Sequence, residues 1–135
     1  MKAGKRNKAQ FAIEFIVLIA FMFVIFLGFT AVITSKILDE KEIKRQQTAE
    51  DIATLAKNEI DLARSVSDGY NRTFDLPASI EGNSYNISII GGRELVVNYL
   101  DKEYVAFLQD SITGNIRPGK NTITKESGIV HISQQ

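Results

Sequence analysis

The chain has 135 residues, with 16 basic and 16 acidic side chains, so its formal net charge is zero. This length allows one domain of ordinary size. Because the chain contains no cysteine, a disulfide framework, a thiol nucleophile and a cysteine-based metal site are excluded. The balanced charge argues against a nucleic-acid-binding protein, which usually carries a basic excess.

A short basic segment precedes a long apolar one. Residues 1–9 hold basic side chains and no acidic one, and residues 15–35 carry no charge at all. A helix over this apolar run spans roughly 31 Å at about 1.5 Å per residue, which matches the ~30 Å hydrocarbon core of a bilayer. The run therefore predicts a membrane-spanning helix. Since basic residues flank its N-terminal end, we predict a cytoplasmic N-terminus and an outside location for residues beyond about 36.

One carboxylate, that of Glu14, stands directly before the charge-free run. An ionised group at the centre of a bilayer costs about 2.5–3.5 kcal/mol on insertion scales, and less near the interface. Two interpretations remain open for this residue. It is either an interfacial acid that the helix dipole favours at a helix start, or a carboxylate that awaits a partner charge during assembly.

One segment around Glu14 reads Lys8-Ala9-Gln10-Phe11-Ala12-Ile13-Glu14-Phe15. It resembles the processing site of archaeal type IV pilins with class III signal peptides. In that family a short basic leader ends in a small residue and is followed by Gln. A Glu stands four residues after the Gln, and an apolar stretch comes next. Members often have Gly before the cut and Ser at the third mature position, where this chain has Ala9 and Ala12. The resemblance covers residues 1 to about 35.

The resemblance implies how the precursor is processed and assembled. A prepilin peptidase would cut between Ala9 and Gln10, and Glu14 would neutralise the new amine of Gln10. The side chains of Phe11 and Phe15, with the apolar ones that follow them, would pack in a filament core. The implied partners are other pilin subunits, the prepilin peptidase, a pilus assembly ATPase and a membrane platform protein.

The helix is predicted to continue beyond the membrane span, because no Gly or Pro occurs between Gly28 and Gly69. Apolar residues after position 35 recur mostly three, four or seven positions apart, with charged residues between them. This spacing predicts an amphipathic helix that packs against a sheet, and Ser67-Asp68-Gly69 supplies its stop signal. The predicted apolar positions are Ile37, Leu38, Ile43, Ile52, Leu55, Ala56, Ile60, Leu62, Ala63 and Val66.

The remaining residues show strand and turn signals. We predict four to six antiparallel strands packed against the outer half of the helix, which supplies the missing half of their core. The predicted strands cover residues 70–76 (an edge strand ended by Pro77), 85–89, 95–100, 104–108, 121–124 and 129–133, with turns at Gly91-Gly92, Asp101-Lys102-Glu103 and Lys125-Glu126-Ser127-Gly128.

The sequence thus predicts an α+β protein in which one long N-terminal helix packs against a small C-terminal antiparallel β-sheet domain. Its four predicted segments are a cleaved basic leader, a transmembrane or filament-core helix, an amphipathic continuation of that helix, and an extracellular β-domain, at residues 1–9, 10–35, 36–68 and 69–135.

Two triplets in the predicted outer domain match the acceptor pattern for N-glycosylation. They are Asn71-Arg72-Thr73 and Asn86-Ile87-Ser88. Archaeal surface proteins are often modified in this way, so Asn71 and Asn86 are candidate glycosylation sites. The alternative is that each is a polar residue on the outward face of a strand.

The sequence offers little catalytic chemistry. The only histidine, His131, lies in an apolar alternation that is typical of an outward-facing strand position. Asp101 and Glu103 could bind a cation, but a turn accounts for them better. No hydrolase, metalloprotease, phosphate-loop or calcium-loop pattern occurs in the sequence. We therefore expect no enzymatic activity, no cofactor and no metal site.

Two functions follow from these observations. The first is a pilin, the structural subunit of an archaeal type IV pilus-like surface filament used for adhesion. Its precursor would be a single-pass membrane protein. The alternative is an uncleaved single-span surface protein, or a pilin-like subunit of a substrate-binding complex.

Overall fold

A computed structural model describes the backbone of residues 3–134 and the side chains of residues 10–134. Within this part the chain divides into two compact units, the first ending at Lys41 and the second beginning at Glu42. The helix and the strands are α1 (Ala3–Ser65), β1 (Asn71–Leu76), β2 (Tyr85–Ile90), β3 (Glu94–Tyr99), β4 (Lys102–Phe107), β5 (Thr113–Gly114), β6 (Gly119–Glu126) and β7 (Ile129–Gln134).

The first unit is made by the N-terminal part of α1. The helix passes through Gly28 without interruption, because one glycine costs an otherwise strong helix only about 1 kcal/mol. Every side chain from Gln10 to Lys41 is exposed. The predicted helix over residues 10–35 is therefore present, and all its apolar side chains are free to contact lipid or protein.

In the second unit, α1 packs against the strands through a face of small and β-branched residues. Ala53, Ala56 and Ala63 have no exposed surface, and Ile60 between them is equally buried. These alanines and Ile60 all belong to the hydrophobic core cluster. The core cluster also contains strand residues from both sheets, among them Phe74, Leu76, Ile87, Leu95, Val97, Tyr99, Ile123, Val130 and Ile132.

Five apolar positions predicted for the packed face of α1 are instead exposed. Leu55 and Leu62 keep 38% and 39% of their surface accessible. They lie on the side of the helix opposite Ala53 and Ala56, since 3.6 residues complete one turn. Ile37, Leu38 and Ile43 are also exposed, and the prediction was wrong for all five.

The helix ends at Ser65, two residues before the first residue of the predicted stop signal, Ser67. Gly69 adopts a positive φ of 91°, which glycine reaches without steric cost. The ammonium of Lys125, from β6, donates to the carbonyl oxygens of Arg64 and Val66, at 2.7 Å each. A cation at this end neutralises the negative pole of the helix and satisfies carbonyls that have no partner within the helix.

The strands form two sheets rather than one. The four-stranded sheet has the order β1-β6-β7-β5 and the three-stranded sheet the order β2-β3-β4. Neighbours pair antiparallel except β5 and β7, which run parallel over two residues. The described residues thus contain seven strands, more than predicted, while the α+β class with its small antiparallel β-domain is confirmed.

Three tight turns connect neighbouring strands. The turn at Gly91-Gly92 joins β2 to β3, as predicted, and both glycines have positive φ. The β6–β7 turn uses Ser127 and Gly128, also both at positive φ, which suits the twist of a two-residue hairpin. The β3–β4 turn was predicted at residues 101–103, and this prediction was wrong. Because Tyr99 pairs with Lys102, the turn consists of Leu100 and Asp101 alone.

Ion pairs join α1 to the β-domain within the second unit. Glu42 contacts Lys102 of β4, and Lys44 lies 3.3 Å from Glu81. The Lys102 hydrogen bond lowers the pKa of the Glu42 carboxyl below its usual 4.5, and the same contact raises the pKa of Lys102. These pairs are partly exposed, so each contributes little stability by itself. They mainly fix how the helix meets β4 and the connection between β1 and β2.

One polar side chain, that of Asn121 in β6, is completely buried. Its Oδ1 accepts a hydrogen bond from the Arg117 backbone N–H at 3.0 Å. Its Nδ2 donates to the carbonyl oxygens of Arg117 and Gly119, at 2.7 and 2.9 Å. Because both ends of the amide have partners, burial costs little and the loop before β6 is held in one conformation.

Candidate assembly site

The N-terminal end of the apolar helix carries the residues for which a role in processing and assembly is predicted. Gln10 and Glu14 lie one helical turn apart, and the Gln10 Nε2 donates to the Glu14 Oε1 at 3.1 Å. Both side chains are exposed. The carboxylate of Glu14 therefore reaches back over the residue that would become the new N-terminus. The side chain of Ala9 lies outside the described residues.

Phe11 and Phe15 form an apolar face next to this polar pair. They are spaced four residues apart, so they lie on the same side of the helix, and they expose 72% and 65% of their surface. The structure thus places a charged carboxylate and two large aromatic rings on adjacent sides of the first turns. Such a surface can contact apolar groups and one positive charge together.

The hydroxyl groups of the apolar run are satisfied within the helix. Thr30 and Thr34 donate to the carbonyl oxygens of Phe26 and Thr30, at 2.9 Å each. Ser35 donates to the carbonyl of Ala31 at 3.1 Å. Because hydrocarbon offers no hydrogen-bond partner, an internal partner removes the cost of placing these groups in a bilayer or a dry protein interface.

The apolar part of α1 makes it a helix that is long and apolar enough to cross a membrane, as judged by length and composition. Its large apolar side chains from Phe11 to Ile33 are all exposed. Moving such a side chain out of water gains about 1.5–3 kcal/mol, so the segment gains on the order of tens of kcal/mol in apolar surroundings. It is a candidate single membrane span, and the same surface can bind other apolar helices.

No protein-family model, well-characterised protein or solved structure matches the chain. The interpretation of this site therefore rests on its own residues, their spacing and their contacts.

A shallow groove interrupts the apolar surface at Gly28. It has a volume of about 360 Å³ and is lined by Ile25, Gly28, Phe29 and Val32. These positions share one side of the helix, and a Cβ added to Gly28 would meet nothing within 4 Å. The missing side chain lets another helix approach closely at this depth. The sequence pattern around Gly28 did not indicate this groove, since Gly28 marks only the start of the stretch without Gly or Pro that ends at Gly69.

The two candidate glycosylation sites are both accessible. Asn71 begins β1 and Asn86 lies in β2, and both side chains are exposed. Each strand is at the edge of its sheet. Exposure fits modification and equally fits the alternative of a polar residue on an outward face, so glycosylation remains a prediction.

The remaining candidate residues are dispersed. His131 is exposed in β7, as predicted, and its Nδ1 lies 2.5 Å from the Thr113 Oγ1. Asp101 lies in the β3–β4 turn, whereas Glu103 lies in β4. Among the described residues, no three His, Asp or Glu side chains are grouped closely enough to hold a metal ion.

Proposed function

We propose that the chain is the precursor of a structural subunit of an archaeal type IV pilus-like filament. The observation that carries the proposal is the order of features around Gln10: a basic leader before it, Glu14 one turn after it, and then an uninterrupted apolar helix. Cleavage before the apolar helix leaves that helix on the product. It can then leave the membrane and pack against the helices of other subunits.

The contact between Gln10 and Glu14 supports a role for the carboxylate in assembly. Cutting before Gln10 creates a positively charged amine at the end of an apolar helix. An unpaired charge is costly in a filament core, whereas a paired one is tolerated. Since Glu14 reaches over residue 10 of its own helix, it can neutralise this amine directly, or that of a neighbouring subunit.

The partners in this proposal follow from the steps of assembly. The basic leader holds the N-terminus in the cytoplasm and the β-domain outside. A membrane-embedded prepilin peptidase removes residues 1–9, and an assembly ATPase with a membrane platform protein supplies the force for extraction. The contact between subunits is heterologous and does not close on itself, which produces a fibre. The β-domain coats the fibre and provides its adhesive surface.

The first test is the N-terminus of the native protein. We expect the mature chain to begin at Gln10, with a free or cyclised N-terminal residue, because the peptidase is proposed to cut before it. Intact-mass spectrometry of the protein from its own cells measures this directly. A mature chain that retains Met1 would overturn the proposal in favour of an uncleaved, singly anchored surface protein.

The second test is the charge of Glu14. Replacement by glutamine keeps the size of the side chain and removes the charge, so we expect Glu14→Gln to leave cleaved subunits in the membrane and to reduce filaments at least tenfold. Filament yield is measured by electron microscopy and by shearing filaments from cells. Glu40→Gln is the matched control, since Glu40 is an exposed acid of the same helix outside the apolar run. Normal filaments from Glu14→Gln would contradict the paired-charge mechanism.

A further inference from the structure

A polar cleft opens beside the edge strand β2, on a part of the molecule that the assembly site does not use. Its volume is about 450 Å³, within the range of roughly 300–1,000 Å³ that is usual for small-molecule sites. Two chain segments line it: the residues that enter β2, and the end of β3 with the turn that follows. The lining residues are Asn83, Ser84, Tyr85, Asn86, Asn98 and Leu100.

The polar side chains of the cleft are three amides and two hydroxyls, none of them charged. Asn86 and Asn98 are direct cross-strand partners, so their side chains lie side by side on one face of the sheet. Among the described residues, the structure assigns neither amide a hydrogen bond within the chain. The Tyr85 hydroxyl, in contrast, donates to the Pro77 carbonyl oxygen at 2.6 Å, and burial raises the pKa of this tyrosine to about 12. The two amides therefore remain available to a ligand.

An amide offers two donors and an acceptor on one rigid group. A sugar hydroxyl needs both a donor and an acceptor, so paired asparagines suit a ring that carries several hydroxyls. Since none of the six lining residues carries charge, the cleft favours a neutral ligand over a phosphate or a carboxylate. The amide chemistry thus points to neutral carbohydrate.

Leu100 supplies an apolar surface at the rim of the cleft. It is 57% exposed, and it adopts a positive φ of 50° in the β3–β4 turn. Glycine or asparagine is the usual residue at such a position, because leucine is sterically disfavoured there. An exposed leucine beside two amides matches a sugar ring, which presents hydroxyls at its edge and C–H groups on its face.

We propose that this cleft binds a neutral carbohydrate, with Asn98 hydrogen-bonding its hydroxyls and Leu100 packing on its C–H face; Asn86 adds a second amide when the sugar comes from outside, and is the attachment point when the sugar is its own glycan. Two sources supply this chemistry: a sugar outside the molecule, or the glycan attached to Asn86 itself. Sugar binding would give the proposed adhesive surface its ligand, and only this link to adhesion rests on the proposed function. Binding can be tested without filaments.

The first arm tests a sugar from outside. The full chain, produced without glycosylation in a detergent whose headgroup carries no sugar, is titrated with glucose, galactose, mannose, N-acetylglucosamine and their β-linked dimers. Shifts of the asparagine side-chain amide resonances report binding. We expect the Asn98 amide to shift with at least one sugar, and Asn98→Ala to weaken that binding at least tenfold.

Two further variants make this arm specific. Leu100→Gly relieves the strained backbone and removes only the apolar side chain, so we expect an intact fold and at least tenfold weaker binding. Asn115→Ala is the matched control, because Asn115 is an exposed asparagine that does not line the cleft, and its binding should equal that of the unaltered chain. Binding that survives both Asn98→Ala and Leu100→Gly would overturn the proposal.

The second arm tests the molecule's own glycan. Hydrogen exchange of the glycosylated native chain is compared with that of Asn86→Gln and Asn71→Gln. We expect removal of the Asn86 glycan to increase exchange in residues 83–86 and 98–100 at least threefold, and removal of an Asn71 glycan to leave these residues unchanged. If no sugar binds in the first arm and no glycan protects the cleft in the second, the proposal is wrong. Filament assembly and the mature N-terminus are read separately, so this failure differs from failure of the proposed function.

Discussion

Replacing Gly114 with alanine is expected to detach β5 from the four-stranded sheet and to lower the free energy of unfolding by about 3 kcal/mol or more. A Cβ at this position would lie 1.9 Å from the carbonyl oxygen of Ile132 and 2.9 Å from its carbonyl carbon. These are backbone atoms of β7, so no rotation of a side chain relieves the overlap. The residue also has a φ of 104°, which favours glycine.

Gly119→Ala separates the effect of the overlap with Ile132 from the effect of the positive φ. Gly119 has a similar φ of 91°, but a Cβ there would meet nothing within 4 Å. The substitution should therefore cost only the conformational term, about 1–2 kcal/mol. Thermal unfolding of the full chain in detergent, followed by near-ultraviolet circular dichroism of its tyrosines, measures both variants. Equal losses for Gly114→Ala and Gly119→Ala would show that contact with Ile132 is unimportant.

Hydrogen exchange of one backbone amide shows whether Gly114→Ala detaches β5. The Asn115 backbone N–H donates to the Ile132 carbonyl oxygen at 3.1 Å, directly after the parallel pairing of β5. We expect this amide to exchange its hydrogen at the rate of an unprotected loop in Gly114→Ala and to stay protected in Gly119→Ala. Protection that persists in Gly114→Ala would mean that β5 is retained.

The sequence predicted the parts of the fold that depend on local signals. The Gly91-Gly92 turn and the helix end before Gly69 need a positive φ that glycine reaches without steric cost. Ser127-Gly128 is a dipeptide that is typical of turns. The division into two sheets and the β5–β7 pairing depend instead on contacts between distant segments. A two-residue strand at Thr113-Gly114 has no alternation to detect, so it could only be interpreted as a loop.

The candidate assembly site was predictable because it is a linear motif. Gln10 and Glu14 are close in space simply because they are four residues apart in a helix. Lys125, which binds the end of α1, lies about sixty residues away from Arg64 and Val66 in sequence. Nothing in its local sequence distinguishes it from an ordinary turn lysine, and the same holds for the buried Asn121.

The packed face of α1 shows where periodicity misleads. Leu55 and Leu62 have the same three-, four- and seven-residue spacing as the buried positions, so a count of apolar residues includes them. The structure instead buries Ala49 and Ala53, which the prediction omitted, on the same face of the helix as Ile52 and Ile60. Hydrophobicity alone ranks leucine above alanine and so favours the wrong side.

The assignment of Ile60 to the buried side and Leu62 to the exposed side of α1 predicts losses of stability of very different size at these two residues. Ile60→Ala should lower the free energy of unfolding of the β-domain unit by about 2–5 kcal/mol, since Ile60 is fully buried and its loss leaves a cavity. Leu62→Ala should cost less than about 1 kcal/mol, because 39% of its surface is already exposed. Both substitutions introduce the same residue into the same helix, so helix propensity favours alanine in both and cannot account for the difference.

Denaturant unfolding of the full chain in detergent, monitored by protease resistance of the β-domain, measures both losses. A larger loss for Leu62→Ala than for Ile60→Ala would show that α1 is rotated from the described orientation within the second unit. With the described orientation, Leu55 and Leu62 form a pair seven residues apart on the free side of the helix. In the proposed filament this side can pack against a neighbouring subunit, so Leu62→Ala should weaken filaments while leaving the isolated subunit stable.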